Sequence, residues 1–593
     1  MSEGFLQRYN EELAALRKKA ARFAEAFPKI AGRLRLTADV ADDPQVERMI
    51  QSFAYSAARV RHKIDDEFPE LTNELLETLY PHFLAPLPSM SIVSFQPSEQ
   101  LGSVQRIPRL TEIASEAVAG ETCRFRTTQN VELAPVELVS ARLSGQPIEA
   151  PVAPFSGTAS CLQLSLRPSN GRLSFKELGL KRLRLFLAAP WRQATGLYEL
   201  LCNHTLGIAV ARHSSDLDAR ILPENSLRPV GFGPEEAMLP YPAVSFNGYR
   251  LLTEFFALPQ KFLFIDIDNI EVPDGDKLEI FVYLDETDRK LERSVTVRDI
   301  ELHASPVVNL FHQPCEPVVI DGTRTEYRLL PDARRHRSRE VYSVERVLLS
   351  DKNGGERFCQ PFFGRTQKSE TTGTFWQITR HYDPDDSTGD VDIAFVDRQR
   401  HPTDAREMVA SVDALCTNRS LAERLPFGGG HPHLNAIGGN DGIAAIRALI
   451  PPTPSIRRTE HTGREWRLIS HLLLNHASLS DKSGTALKDI LALYSIRDTP
   501  ETRFFVDAIT RVETSHSTAR LNGGAVVPGT DITIEFDPNR TDNASAFLFG
   551  SVLDHFLGLY TSINSFTRLT ARLRGQSRPV ARWPARAADR PLL

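Results

Sequence analysis

Apolar residues recur along the first part of the chain with a seven-residue period. Leu6, Tyr9, Leu13, Leu16, Ala20, Phe23 and Phe27 are spaced three and four apart. That spacing predicts one apolar stripe on an α-helix of the kind that packs lengthwise on another. Pro28 is expected to end this helix. Asp43-Pro44 then offers a capping residue and a proline suited to the first helical turn. A second stripe follows it: Val46, Ile50, Phe53, Ala57, Val60 and Ile64. A third, short helix is expected after Pro69, carrying Leu71, Leu75, Leu76 and Leu79, before Pro81, Pro86 and Pro88 close the region. Two such seams make a helical bundle, packed on this chain alone or shared with a partner.

From Ser91 to about residue 330 the pattern turns β-like. Ile92–Phe95, Leu162–Leu166 and Val295–Ile300 alternate, while Phe262–Ile267 and Leu278–Leu284 are continuous apolar runs. Beyond residue 330 strands and helices mix. Helices are expected at Arg464–His476 and Ala546–Leu573, and a strand at Val526–Phe536 interrupted by Gly529-Thr530-Asp531. The 546–573 segment is apolar nearly all round, except for Ser551, Asp554, Gly558, Thr561, Ser565 and Arg568. Such a helix is buried. Its polar stripe is expected to face solvent, so that Gly558→Leu would be tolerated; a close-packed seam with another subunit is the alternative. The expected fold class is α+β and multidomain: residues 1–90 helical, 91–330 central antiparallel β units, 331–593 mixed with a basic tail.

Composition narrows the function classes. The 593 residues are 41% hydrophobic and 24% charged, which excludes global disorder. Net charge is −5 and the pI about 6.4, so bulk attraction to nucleic acid or an anionic membrane is not the first expectation. Seven arginines from Arg568 onward face one Asp, but a single Trp583 accompanies them and no stacking ladder exists. The six cysteines are scattered singly, so neither a disulfide framework nor a zinc ribbon is suggested. The first residues lack the apolar core of a signal peptide, and no apolar run is long enough to span a membrane. A cytoplasmic protein is expected.

Candidate chemistry is sparse. Nucleophile-elbow, zinc-helix, P-loop and dinucleotide fingerprints are all missing. Asp266 and Asp268 have the spacing of a divalent-metal pair, but they close an apolar strand, where polar residues usually mark the exit into solvent. His431 and His433 follow Gly428–Gly430 with no Cys or carboxylate nearby in sequence, which favours a surface loop. His471 and His476 are five apart and fall on different helix faces. Arg334, Arg335, His336, Arg337 and Arg339 form a basic run, expected to be solvated or to meet an acidic partner. No catalytic, cofactor or metal residue is expected. A metal-dependent hydrolase or transferase at these Asp or His pairs, and a nucleic-acid binder using the tail, are the alternatives.

Several longer segments resemble one family. They include Asp43–Tyr55, Ala58–Thr72, Leu79–Phe83 and Pro88–Phe95, then Glu254-Phe-Phe-Ala-Leu-Pro-Gln-Lys-Phe-Leu-Phe264. Val308–Phe311, Glu326–Ala333, Glu340–Arg346, Phe547–Phe556, Leu559–Phe566 and Trp583–Arg586 continue the match. Together they resemble the TssF family, also called ImpG or VasA, of type VI secretion baseplate subunits. The resemblance implies a structural wedge component, similar to those of contractile-tail phage baseplates. It implies two TssF copies with one TssG, binding of TssK, a link through TssE toward the sheath, and six wedges around the VgrG hub. The assembled baseplate would template tail tube and sheath, and meet the inner membrane only through other subunits. The family has no catalytic residues to carry over.

Overall fold

The computed structural model describes residues 3–33, 43–65, 75–152, 154–170, 173–242, 245–272, 275–351, 355–362, 374–383, 388–397, 408–439, 441–457, 484–496, 500–520, 526–561 and 565–587. They fall into two units, the helices up to Thr78 and the described residues from Leu79 onward. The expected helix at 464–476, with His471 and His476, lies outside the described residues.

In the first unit, α1 spans Glu3–Ala26, α2 Pro28–Arg33 and α3 Pro44–Asp65. Pro28 ends α1 and also opens α2, as its missing N–H allows at a first helical position. The start of α3 follows the sequence signal: the Asp43 Oδ1 accepts a hydrogen bond from the Gln45 N–H at 2.8 Å. The helices α1 and α3 pack on each other, and Arg17 pairs with Glu47 between them. Residues 75–79 are also helical.

The second unit is built of several sheets and one closed barrel. The barrel joins Met90–Pro97, Ala304–Val308, Glu121–Thr127, Glu112–Val118, Leu434–Ala436 and Ile443–Ala448, and the last strand pairs back onto the first. All its pairings are antiparallel. Val93, Phe95, Ile113, Phe125, Val307 and Ile446 belong to its core. The barrel therefore takes strands from both sides of residue 330. A five-stranded sheet centres on Leu278–Leu284, a four-stranded sheet holds Phe264–Ile267, and an eight-stranded sheet runs through Glu340–Ser350 and Met408–Thr417. Mixed α and β structure over several modules fits the expected class.

Three expected elements change. Val295–Ile300 is not a strand: Asp288 caps a short helix at Arg289–Ser294, and Asp299 then closes a capping box on Thr296. The Val526–Phe536 strand is uninterrupted, and Gly529 pairs within it. A Cβ there would overlap the Phe566 ring of the neighbouring strand, so glycine allows the close approach. The expected Ala546–Leu573 helix is two elements, a helix at Asn543–Leu559 and a strand at Phe566–Leu573. Phe566-Thr-Arg-Leu-Thr-Ala-Arg-Leu573 buries every second residue from Leu569, the period of a strand rather than a helix. This strand lies parallel to Val526–Phe536, so the helix is the crossover that a parallel pair requires.

The helical layer of this unit comprises α4 (Trp191–Asn203), α5 (Asn247–Ala257), α6 (Thr485–Tyr494), α7 (Pro500–Ala508) and α8 (Asn543–Leu559). Its interior is aromatic. The Phe549 ring stacks on Phe255 with centroids 5.2 Å apart, and Phe547 stacks on Trp583 at 5.6 Å. Tyr249 stacks on Tyr494 at 4.7 Å and packs against Phe556.

Candidate functional site

The two N-terminal seams take different positions. Tyr9, Leu13, Leu16, Ala20, Val46, Ile50 and Ala57 are half-buried. Leu6, Phe23, Phe27, Phe53 and Val60 are exposed, Phe53 at 65% and Val60 at 61%. The side chain of Ile64 lies outside those described. Among the described side chains of α3 the fully buried ones are Ala54 and Ala58, each next in sequence to Phe53 and Ala57. Small residues let helices approach closely, while the larger apolar side chains are left toward solvent. Met49 and Ile30 add to this surface at 73% and 52% exposure.

The polar pairs singled out in the sequence are placed otherwise than expected. Asp266 is not at a solvent exit: it is fully buried inside its strand and accepts two hydrogen bonds from Arg184, at 2.7 and 2.8 Å. Arg228 reaches the same carboxylate at 3.3 Å, and Asp268 pairs with Arg182. Three guanidiniums thus compensate two carboxylates, which makes a structural ion-pair cluster and leaves no free acidic pair for a metal. In the basic run, Arg339 is buried beside Asp332 and over the Phe311 ring, and Arg335 pairs with Glu121 at 3.3 Å. Arg339 is thus turned inward, while Arg334, Arg335, His336 and Arg337 are exposed, as expected of a solvated run. In the basic tail, Arg568, Arg574, Arg578 and Arg586 pair with Asp531, Asp537, Glu286 and Asp554.

The polar stripe of α8 is buried, contrary to expectation. Ser551, Asp554, Gly558 and Thr561 are buried, and this chain's own C-terminal segment covers Asp554 and Gly558. Arg586 donates two hydrogen bonds to Asp554, and a Cβ on Gly558 would overlap the Arg586 side chain. Burial pushes the Asp554 carboxyl up, partly offset by Arg586. Next to it, His555 stacks on Phe232 at 3.9 Å, and burial depresses its imidazole to about 3.

The Glu254–Phe264 segment holds a fully buried ion pair. The Lys261 ammonium donates to Glu254, and both side chains have no exposure. The other Glu254 oxygen accepts from the Met238 and Leu239 N–H groups at 2.8 and 3.0 Å. Burial alone would raise this carboxyl, but Lys261 and Arg250 outweigh it and hold it ionised. Burial likewise pulls Lys261 down against the attraction of Glu254. A charge so placed is stable only with its partner.

Sequence reasoning missed two further clusters. His204, at the C-terminal end of α4, lies 2.7 Å from Asp285, 3.2 Å from Glu199 and 3.3 Å from Glu286. Burial lowers its pKa, but hydrogen bonds to Glu199 and Asp285 raise it more, to about 9. In the second cluster His431 and His433 meet a carboxylate that is remote in sequence. Glu116, 315 residues earlier, is 2.8 Å from His431 Nδ1. No sequence signal links residues so far apart. The six cysteines are all free thiols, and burial raises Cys123, Cys161, Cys315 and Cys359 to about 12, which makes them poor nucleophiles.

The chain belongs to the type VI secretion system TssF family, whose model matches residues 1–590. It is 33% identical, over the full length of both chains, to the type VI secretion system component TssF1 of Pseudomonas aeruginosa. It is also similar to a chain of the TssK-TssF-TssG baseplate subcomplex solved by cryo-electron microscopy, with TM-score 0.74 and 26% identity over 91% of this chain and 98% of that one. A chain of the type VI secretion baseplate complex shares the fold, with TM-score 0.60 and 23% identity over 99% and 100%. No helix among the described residues is long and apolar enough to cross a membrane.

Proposed function

We propose that this chain is a non-catalytic scaffold of the type VI secretion baseplate, holding wedge partners in fixed geometry around the spike hub. The observation that carries this reading is the likeness to the TssK-TssF-TssG subcomplex over 98% of the solved chain. TssG and TssK are the first partners it implies. A second TssF copy, two per TssG, together with TssE and the VgrG hub, completes the wedge in this reading, with tube and sheath templated on the cytoplasmic side. The helices α1 and α3 are the proposed assembly element, and their exposed Leu6, Phe23, Phe53 and Val60 support it. Apolar side chains in such a stripe each contribute about 1.5–3 kcal/mol when a partner covers them. In this reading the chain divides into a helical region at 1–90, a central β region at 91–330 and a mixed region at 331–593.

Co-expression with TssG and TssK, followed by purification and mass measurement, tests the proposal. A complex with two copies of this chain per TssG is expected. Deleting residues 1–40 is expected to abolish co-purification with TssG while the remainder stays soluble. A truncated chain that still carries TssG at normal yield removes the N-terminal helices from the interface.

A further inference from the structure

The loop that enters the Leu434–Ala436 barrel strand is closed on itself. Gly428 N–H donates to the His431 carbonyl at 3.2 Å, and His431 N–H donates back at 3.1 Å. Gly428, Gly429 and Gly430 between them all have positive φ, at 100°, 62° and 92°, which glycine adopts without strain. The turn thereby presents His431 and His433 together, with ring centroids 4.4 Å apart.

The third group comes from the neighbouring strand, Glu112–Val118. Its register shifts between Ala114 and Ala117, the mark of a bulge that adds one residue and turns a side chain out of the regular alternation. Ser115 holds the bulge by accepting the Cys123 N–H at 3.0 Å. Glu116 N–H donates to the His433 carbonyl at 2.8 Å, which ties the bulge to the loop. The Glu116 carboxylate accepts from His433 N–H at 3.3 Å and lies 2.8 Å from His431 Nδ1.

We propose that Glu116, His431 and His433 form a binding site for a divalent transition metal of the zinc type. One ligand atom from each lies within 4.8 Å of the other two. Ligands on a tetrahedral ion with bonds of about 2.0–2.1 Å stand roughly 3.3 Å apart, so side-chain rotations alone bring these atoms to that spacing. Two imidazoles and one carboxylate select zinc, nickel or copper over magnesium and calcium, which favour all-oxygen sites. His433 is exposed and the other two are half-buried, so an ion reaches the site from solvent and keeps at least one open position. Binding replaces the His431–Glu116 hydrogen bond. The ion would staple the glycine loop to the barrel.

A second group, Glu326, His381 and Asp392, provides the internal control. It lies on the eight-stranded sheet with His381 Nε2 at 3.3 Å from Asp392 and 3.9 Å from Glu326, and has one imidazole only. The test is calorimetric titration of the chelator-treated full chain with zinc chloride, followed by cobalt substitution read in the visible spectrum. One equivalent is expected, with a cobalt band of tetrahedral intensity. His431→Ala and His433→Ala should each weaken zinc about tenfold or more at unchanged circular dichroism, whereas His381→Ala leaves it unaltered. No saturable zinc binding overturns the proposal, as does binding that persists in the folded His431→Ala/His433→Ala double variant or disappears in His381→Ala.

Discussion

Helix α8 and the N-terminal pair α1 and α3 are both rich in apolar side chains, and they meet opposite fates. Every large residue of α8 from Phe547 to Leu557, His555 excepted, is buried by this chain itself, and even its polar stripe is buried, with Arg586 over Asp554 and Gly558. On α3, Phe53 and Val60 stand mostly in solvent while alanines fill the buried positions. Apolar content alone therefore does not tell a core from a solvent-facing surface. What separates them is circumference: α8 is apolar nearly all round, whereas α1 and α3 are stripes on charged helices. A complete apolar surface must be enclosed within its own fold, and a stripe can wait for a partner.

The largest effect expected from that difference lies in the enclosed layer. Lys261→Ala leaves Glu254 charged and fully buried without its partner, and should cost about 3–5 kcal/mol. Denaturant unfolding reads this directly, and the Glu254→Gln/Lys261→Met pair, which keeps an acceptor for the Met238 and Leu239 N–H groups, should recover part of the loss. A single-site cost under 1 kcal/mol would show that the layer tolerates open charge and is less enclosed than α8 suggests.

Gly558→Leu sharpens the contrast at one position. The new side chain would displace Arg586 from Asp554, so a loss of about 1–3 kcal/mol and a lower Tm are expected. The same melting experiment on Phe53→Leu should show almost no change.

The layer should also respond to alkali. His204 has its folded pKa raised to about 9 by Glu199 and Asp285, above the unfolded value near 6.5. Its contribution is fully present below pH 6.5 and is lost as pH rises through 9. The loss should be about 1–2 kcal/mol, given the half-exposed carboxylates Asp285 and Glu286 around it. Tm measured from pH 6 to 9.5 should fall less in His204→Gln than in the parent chain.

The smallest stability effect belongs to the open surface. Phe53→Ser with Val60→Ser should shift unfolding by about 0.5 kcal/mol or less, since both are already solvated. Recovery of TssG on co-purification should nevertheless drop sharply. A large stability loss with normal recovery would reverse the roles of the two regions.

How much was legible follows the same line. The seven-residue periods of α1 and α3, the Asp43-Pro44 start, and strands such as Leu278–Leu284 are local signals, and the structure contains them. The α8 boundary was hidden because the residues after it stay apolar while their period changes from helix to strand at Phe566. Burial of the α8 stripe depends on Arg586, which pattern alone could not pair with Asp554. Asp266 with Arg184 and Glu116 with His431 were out of reach for the same reason: each site is assembled from strands distant in sequence.

The barrel carries a consequence for biosynthesis. Met90–Pro97 pairs on one side with Ala304–Val308 and on the other with Ile443–Ala448. While the chain is being translated, this strand emerges with both hydrogen-bonding edges open, and its last partner is about 350 residues behind it. At roughly 5–20 residues per second, the ribosome needs about 20–70 s to deliver that partner. Throughout that interval an apolar, two-edged strand is available to neighbouring nascent chains. Cells making this protein must protect the first barrel strand until the message has been read past residue 448, and chaperone occupancy on the nascent chain should peak within that window.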